Sequence, residues 1–567
     1  MSGTNNNQTT TDDTAQGIGI ILPNDQAQAI SILTNTCLEQ LDPDDYVAPE
    51  QIADQVVQMV RDAFVMRNEN AEKGTKWKIP SRLAPQQIAA IMLHVHIIKS
   101  INCGGVNSDP EYDILGIYQE SGKDAGIYVS EERKLWRIIH RYNNALDTRG
   151  LKEVMARLQE DAERVTRCDN RDLIAVNNGI FNYKTKTLEP FSPDLVFTAK
   201  CHVDYNPVAT SPVIHNDKDG TDWEIEDWIK DLFNDGSDIP ETIWQIMGAI
   251  IRPNVRWGKS AWFVSEKGNN GKGTLCRLMR NLAGEGSCQS IPLDAFSKDF
   301  MLEPLIGATS IITDENDVGA YIDKAANLKA IITNDVIQIN RKFKTPISYQ
   351  FKGFMVQCIN GMPRIKDKSE SFYRRQLFIP FDKCYTGMER KYIKDDYLNR
   401  QDVLEYALYR ILNMDYYEIT EPESCKAALE GYKTFNDPVR DFIQDVLPRA
   451  NWGCIPAQLA FEIYKKWGKI NNSNGSIQGR NTFLNDVKNL IDPAKDGWFY
   501  AKTQQRVLTR MDGDEPLLDE YDCRSEMAKM YKKKPEFATG LFKCDVNITG
   551  TQATDDNTDA ITGTEEE

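Results

Sequence analysis

Seven consecutive residues, Gly268-Asn269-Asn270-Gly271-Lys272-Gly273-Thr274, are the part of this 567-residue chain best suited to hold phosphate. They lie between the apolar run Ala261-Trp262-Phe263-Val264 and a segment with helical spacing, Lys272 to Leu282. Small residues let backbone N–H groups curl around phosphate oxygens, and a helix N-terminus adds partial positive charge. Lys272 would reach the β- and γ-phosphates as a point charge. The run departs from G-x-x-x-x-G-K-[ST] at two places. Glu266 stands where the first glycine is usual, and Gly273 occupies the hydroxyl position, so Thr274 must supply the Mg²⁺ contact from one residue later. Further on, Ser310-Ile311-Ile312-Thr313-Asp314-Glu315 is an apolar strand ending in two carboxylates. A P-loop ATPase needs one acid near Mg²⁺ and another to orient and polarise the attacking water. Asp314 suits the first role and Glu315 the second.

Three more elements extend the set. Asn360 ends the apolar run Phe354–Ile359, where an amide can hydrogen-bond the attacking water or the γ-phosphate. Arg374-Arg375 stand just before another buried run, Gln376 to Phe381, and could stabilise transition-state charge from a neighbouring subunit. Asn340-Arg341-Lys342-Phe343-Lys344 lies between the strand-like runs Val336–Ile339 and Pro346–Phe351. A hairpin tip with three cations around an aromatic ring can hold phosphates by charge and touch a base or sugar with the ring.

Charge supports a confined track for a polyanion. The chain carries 67 basic and 84 acidic residues, a net −17, which argues against nucleic acid coating its whole surface. Arg252 to Lys383 nevertheless holds 20 basic and 13 acidic residues, so that stretch is +7 and the remainder −24. Six such hairpin tips in a ring would make a basic pore inside an acidic shell. No window reaches ~18 uninterrupted apolar residues, so no membrane span is expected. The start shows no signal peptide. The 12 cysteines show no Cys-x-x-Cys pair, which fits reduced thiols in a cytosolic setting. His94-x-His96 has no further ligands nearby in sequence and reads as structural.

The elements that must position these residues follow from periodicity. Residues 1–24 and the acidic Thr551 to Glu567 read as disordered tails. Residues 25–110 read as helical, with helices over Gln51–Met66 and Pro85–Ser100. A mixed domain is expected over 111–250 and an α/β core with a parallel sheet over 251–385, its loops at the carboxyl ends of strands. A helical connector, 386–423, leads to a small domain over 424–515. There three helices precede two strand-like runs, Trp498–Lys502 and Gln505–Arg510, in winged-helix order. Residues 516–567 are expected to be an extension with the acidic tail.

Taken in order, from about Tyr112 to Tyr385, these elements resemble a superfamily 3 helicase of the phage, plasmid and poxvirus primase-helicase type. Leu173 to Tyr183, continuing to Leu188-Glu189-Pro190-Phe191-Ser192-Pro193-Asp194, resembles the domain that precedes that family's core, and Val203-Asp204-Tyr205-Asn206-Pro207 closes it in the family's manner. Leu305-Ile306-Gly307 and Phe378-Ile379-Pro380-Phe381 also match. The resemblance implies an AAA+-like P-loop ATPase, with ATP and Mg²⁺ held by Gly268–Thr274 (Walker A) and Asp314-Glu315 (Walker B). It implies a B′ motif from about Leu328 to Lys344, sensor 1 at Asn360 and an arginine finger at Arg374 or Arg375, with Arg375 favoured. It further implies a homo-hexamer translocating 3′→5′ on single-stranded or forked DNA during replication, in a bacterial host's cytoplasm if element-encoded. A separate primase, polymerase or single-strand-binding protein would be its partner, since residues before 111 show no paired carboxylates of a primase site. Two rival expectations are an origin-binding initiator whose ATPase is only an assembly switch, with Arg480, Lys488 and Arg506 as contacts, and a small-molecule kinase.

Overall fold

The computed structural model describes residues 22–544 except 43–46, 70, 73, 106–107, 318–320, 323 and 472–476. Most of the first expected tail and all of the acidic one therefore lie outside the described residues. The chain forms two compact units, Met1–Leu429 and Glu430–Glu567.

In the first unit, helices Gln26–Glu39, Pro49–Glu69 and Pro85–Val95 precede a four-stranded sheet. The expected helix Pro85–Ser100 stops early. Ile98–Asn102 is instead a strand, paired with Ile114–Tyr118 on one side and Glu163–Thr166 on the other. Its residues are buried almost throughout, so neither the 2.0 nor the 3.6 period shows in the sequence. Leu173–Val176 and Gly179–Asn182 then form a hairpin around Asn177-Asn178. Asn177 donates to Asp204, and Asn178 accepts from the Tyr205 amide at 2.9 Å, so the turn is fastened to the segment Val203–Tyr205. Both pieces join one apolar core that runs on through Leu275, Ile312, Val356 and Ile379.

That core supports five parallel strands: β1 (Ser260–Val264), β2 (Cys288–Gln289), β3 (Ser310–Thr313), β4 (Phe354–Ile359) and β5 (Gln376–Pro380). Their order across the sheet is β2-β3-β4-β1-β5, all parallel. Helix α1 (Lys272–Ala283) follows β1 and buries Leu275, Cys276, Leu278, Met279 and Leu282. Thr313 places a hydroxyl at the buried end of β3, and the structure gives the reason. Its Oγ1 donates to the Ile291 carbonyl at 2.9 Å and accepts from the Ile291 amide at 3.1 Å, fixing the segment after β2. The insertion between β3 and β4 carries the antiparallel hairpin Val336–Arg341/Lys344–Gln350. It returns to β4 through Gly353, where an added Cβ would lie 2.1 Å from the Thr309 carbonyl oxygen.

The second unit has its own core, built around Phe442, Tyr464, Trp467 and Phe483. Helix α2 (Pro438–Val446), strand β6 (Cys454–Pro456), helices α3 (Ala457–Asn471) and α4 (Arg480–Leu490), and strands β7 (Trp498–Arg506) and β8 (Phe537–Lys543) follow in turn. The hairpin expected between Trp498–Lys502 and Gln505–Arg510 does not form. Trp498–Lys502 and Gln505–Arg506 lie in one continuous strand, β7, Val507–Arg510 turn away after it, and the partner of β7 is β8, about thirty residues on. Since β8 is the middle strand of the order β6-β8-β7, the domain continues past the expected boundary at 515 to Lys543.

Candidate functional site

Parallel strands put every loop that follows a strand on one edge of the sheet. The Gly-rich loop follows β1, Asp314-Glu315 follow β3 and Asn360 follows β4, and these three strands are neighbours. The loop is braced by its own side chains. Ser265 and Asn270 side chains donate to the Lys267 carbonyl, and Asn270 Oδ1 accepts from the Lys272 amide. Gly271 sits at φ +85°, with Leu232 2.5 Å from where a Cβ would be, so both backbone and space require glycine.

Lys272 is buried, and its ammonium donates to Asn360 Oδ1 at 2.8 Å and to the Ile359 carbonyl at 3.1 Å. Burial pushes its pKa down from the ordinary lysine value. The cation is thus held at the end of β4, between the loop and the expected sensor. Asp314 accepts from Arg280 at 2.6 Å through one oxygen, while its other oxygen is buried with no hydrogen-bond donor. Arg280 also donates to the Ile312 carbonyl, and although burial opposes its charge, the bond to Asp314 raises its pKa overall. Glu315, one residue further, is exposed. Cys276 and Cys358 lie beside Asp314 with sulfurs 3.3 Å apart.

For Mg²⁺, a hard cation that takes oxygen ligands, the fitting donors are the Thr274 hydroxyl and the orphaned Asp314 oxygen rather than the thiols. A cavity of about 730 Å³ opens from Asn269, Gly271 and Thr274 and is walled by Trp228, Tyr385 and Lys394. Tyr385 is tied to the loop by its amide, which donates to the Asn269 carbonyl at 2.7 Å.

Arg374 and Arg375 are not brought to this edge. They precede β5, and the Ser260 amide at the start of β1 donates to the Arg375 carbonyl, which puts both arginines at the opposite edge. Arg375 is half-buried and turns its guanidinium back onto the Ser371 carbonyl, whereas Arg374 is exposed. Ser369 caps the short helix Glu370–Tyr373 and buried Phe372 and Tyr373 anchor it, so the pair has a firm base.

The basic hairpin tip also stands apart from the nucleotide-loop edge. Phe343 is 94% exposed at φ +59°, and Lys342 lies 5.4 Å from its ring. Arg341 folds back onto the Thr345 carbonyl, and Lys344 pairs with Glu132 of the preceding region. Arg280 and Glu132 were not singled out from sequence. For Arg280 the signal was present, because Lys272, Cys276 and Arg280 recur at i, i+4 and i+8 on one face of α1.

Comparison with known proteins adds a family to this geometry. Residues 55–234 match the family described as D5 N terminal like, and residues 263–375 match a family of unknown function, DUF5906. Among solved structures, the apo C-terminal region of NrS-1 is 14% identical, with 82% of this chain and 100% of that chain covered at a TM-score of 0.41. A JCV helicase bound to a small molecule is 16% identical over 37% of this chain and 58% of that one, at a TM-score of 0.25. The D5 N terminal like region thus lies directly ahead of the loop-and-strand core, in the order that the primase-helicase resemblance implies.

Proposed function

We propose that the protein is an ATP-driven replicative DNA helicase with an AAA+-like core, acting as a homo-hexameric ring that moves 3′→5′ along single-stranded DNA. The observation that carries this is the division of labour across one sheet. Lys272, Asp314 and Asn360 converge at one edge, while the exposed Arg374 stands at the other. The sheet order β2-β3-β4-β1-β5, with the phosphate loop after β1 and the acids after β3, supports an AAA+-like assignment.

In this proposal the loop amides of Gly268–Thr274 bind the phosphates, and the base and ribose enter the cavity beside Trp228 and Tyr385. Lys272 leaves Asn360 for the γ-phosphate, which releases the Asn360 amide to orient the attacking water. Glu315 polarises that water as general base. Thr274 and Asp314 would hold Mg²⁺, which when bound neutralises phosphate charge. Arg374 from the neighbouring protomer meets the charge that develops in the transition state. Loss of the γ-phosphate returns Lys272 to the end of β4, the strand that the hairpin insertion feeds into. The hairpin would then shift with Lys342, Phe343 and Lys344 on the DNA strand.

The test is strand displacement on a forked duplex that contains no origin sequence. Displacement with a 3′ tail and ATP, none with only a 5′ tail, and none by Glu315→Gln, which still binds ATP, would support the proposal. An initiator that uses ATP only to assemble would bind the fork and leave it intact.

A further inference from the structure

The first unit holds a second cavity, of about 460 Å³, that shares no lining residue with the nucleotide cleft. Three parts of the fold wall it. Asn102 ends the strand Ile98–Asn102 of the N-terminal sheet, and Arg167 follows the strand Glu163–Thr166 beside it. Asn334 and Gln350 stand at the two roots of the basic hairpin. Arg256 and Lys352 come from the segments just ahead of β1 and β4. Because β1 and β4 run parallel, those segments lie at the edge of the sheet opposite the Gly-rich loop.

Charge in this wall is unbalanced. Arg167, Arg256 and Lys352 are accompanied by one carboxylate, Asp169, and among the described residues none of the three cations forms an ion pair. Arg167 is held by neutral groups instead. Its guanidinium donates to the Gln350 carbonyl at 2.6 Å, the Cys103 carbonyl at 3.2 Å and the Tyr349 hydroxyl at 3.3 Å, which leaves its Nε buried with no acceptor. The half-buried Lys352 ammonium makes one long bond, 3.3 Å to the Cys168 carbonyl. Burial and the neighbouring Arg167 guanidinium push the Lys352 pKa down, so its charge is held at a cost. Arg256 is exposed at the rim. An anion placed among the three would remove the repulsion and supply the missing acceptors.

We propose that this cavity binds a small phosphorylated anion that carries no base, of the pyrophosphate or sugar-phosphate class. Guanidinium and ammonium groups are the side chains best suited to phosphate oxygens. Among the described residues no aromatic ring lines the cavity, so it offers a base nothing to stack on, whereas a site for a DNA strand combines a basic groove with such rings. Its volume lies within the range of small-ligand sites. An occupant would touch the N-terminal sheet and both hairpin roots at once. The Gln350 amide already donates to the Cys103 carbonyl at 2.8 Å, so the ligand reinforces an existing joint between them.

The test uses the full chain carrying Lys272→Ala, which weakens the phosphate hold of the nucleotide loop, in Mg²⁺-free and phosphate-free buffer at low salt. Calorimetric titration with pyrophosphate should give one site per protomer. Arg256→Gln and Lys352→Gln, each added to that chain, should weaken binding tenfold or more. Arg256 is exposed, so its variant keeps the fold even if the Lys352 variant does not, and melting curves check both. Amide exchange should slow on adding pyrophosphate at residues 334–336 and 350–352 and stay unchanged at 268–274. Four results would each overturn the inference: no pyrophosphate binding, full affinity in the Arg256 variant together with any folded Lys352 variant, protection confined to 268–274, or displacement of pyrophosphate by an oligothymidine strand, which would make these cations part of a DNA track. Every readout is binding rather than turnover or strand displacement, so a failure here is distinct from a failure of the helicase proposal.

Discussion

Replacing Arg374 by Ala tests whether each nucleotide cleft is completed by a second protomer. β5 is five residues long, so at about 3.3 Å per residue the edge carrying Arg374 is separated from the Lys272 edge by roughly 16 Å. The guanidinium therefore cannot serve its own cleft. If it serves a neighbour's, its loss should lower ATP turnover about 10³-fold or more, the usual magnitude for an arginine finger. Lys272→Ala should be equally inactive, for the different reason that its own cleft cannot hold the phosphates. Mixing the two inactive proteins then makes a sharp prediction. In rings assembled at random from equal amounts, an interface works only where an R374A protomer supplies Lys272 and a K272A protomer supplies Arg374, so about a quarter of interfaces should be active. The assay is phosphate release by each variant alone and by the 1:1 mixture, with ring assembly checked by particle mass. Mixed rings that form yet release no more phosphate than their parents would refute the shared cleft. So would full turnover by R374A alone.

Four further outcomes follow from particular contacts. Lys342→Ala with Lys344→Ala should spare ATPase measured without DNA and abolish strand displacement, so equal loss of both activities would place the hairpin elsewhere in the mechanism. Arg280→Ala removes the 2.6 Å partner of Asp314 and should cut turnover while leaving fluorescent-nucleotide affinity unchanged, and a parallel fall in affinity would show that it holds the phosphates instead. Thr313→Val keeps the shape of the side chain but strands the buried Ile291 amide, which should cost about 1–3 kcal/mol in denaturant unfolding, whereas a cost near zero would show that water takes over the bond. Burial lowers the pKa of His96, whose ring meets the Tyr142 hydroxyl at 3.2 Å. The unfolded chain therefore binds the extra proton first, and stability should fall as pH drops below the ordinary imidazole value of about 6.5. His96→Gln should flatten that part of a melting-temperature profile, and an unchanged slope would assign it to other groups.

The edge that gathers Lys272, Asp314 and Asn360 was legible in the sequence because its parts are local. A glycine-rich turn, an apolar strand ending in acids and an amide after another strand each announce themselves within ten residues, and the parallel sheet brings them together. What escaped were contacts that depend on two distant segments. Arg280 reaches Asp314 across the helix–strand interface, and Lys344 reaches Glu132 across more than two hundred residues. Neither residue type is informative until its partner is placed. Of the pair Arg374-Arg375, with Arg375 favoured as the finger, Arg375 turns back onto the Ser371 carbonyl and Arg374 is exposed, a difference that two identical residue types side by side do not signal. The misplaced hairpin in the second unit has the same origin. Gln505–Arg510 has strand-like residues, but the partner of β7 is supplied by β8 after a long excursion that local periodicity cannot signal.

The most direct measurement is ATP turnover per protomer followed as a function of protein concentration, alongside particle mass, with ATP and single-stranded DNA present. A cleft built from Lys272 of one copy and Arg374 of the next predicts that turnover is negligible in dilute monomer and rises in step with the fraction assembled. Constant turnover per protomer down to concentrations where only monomer remains would contradict it.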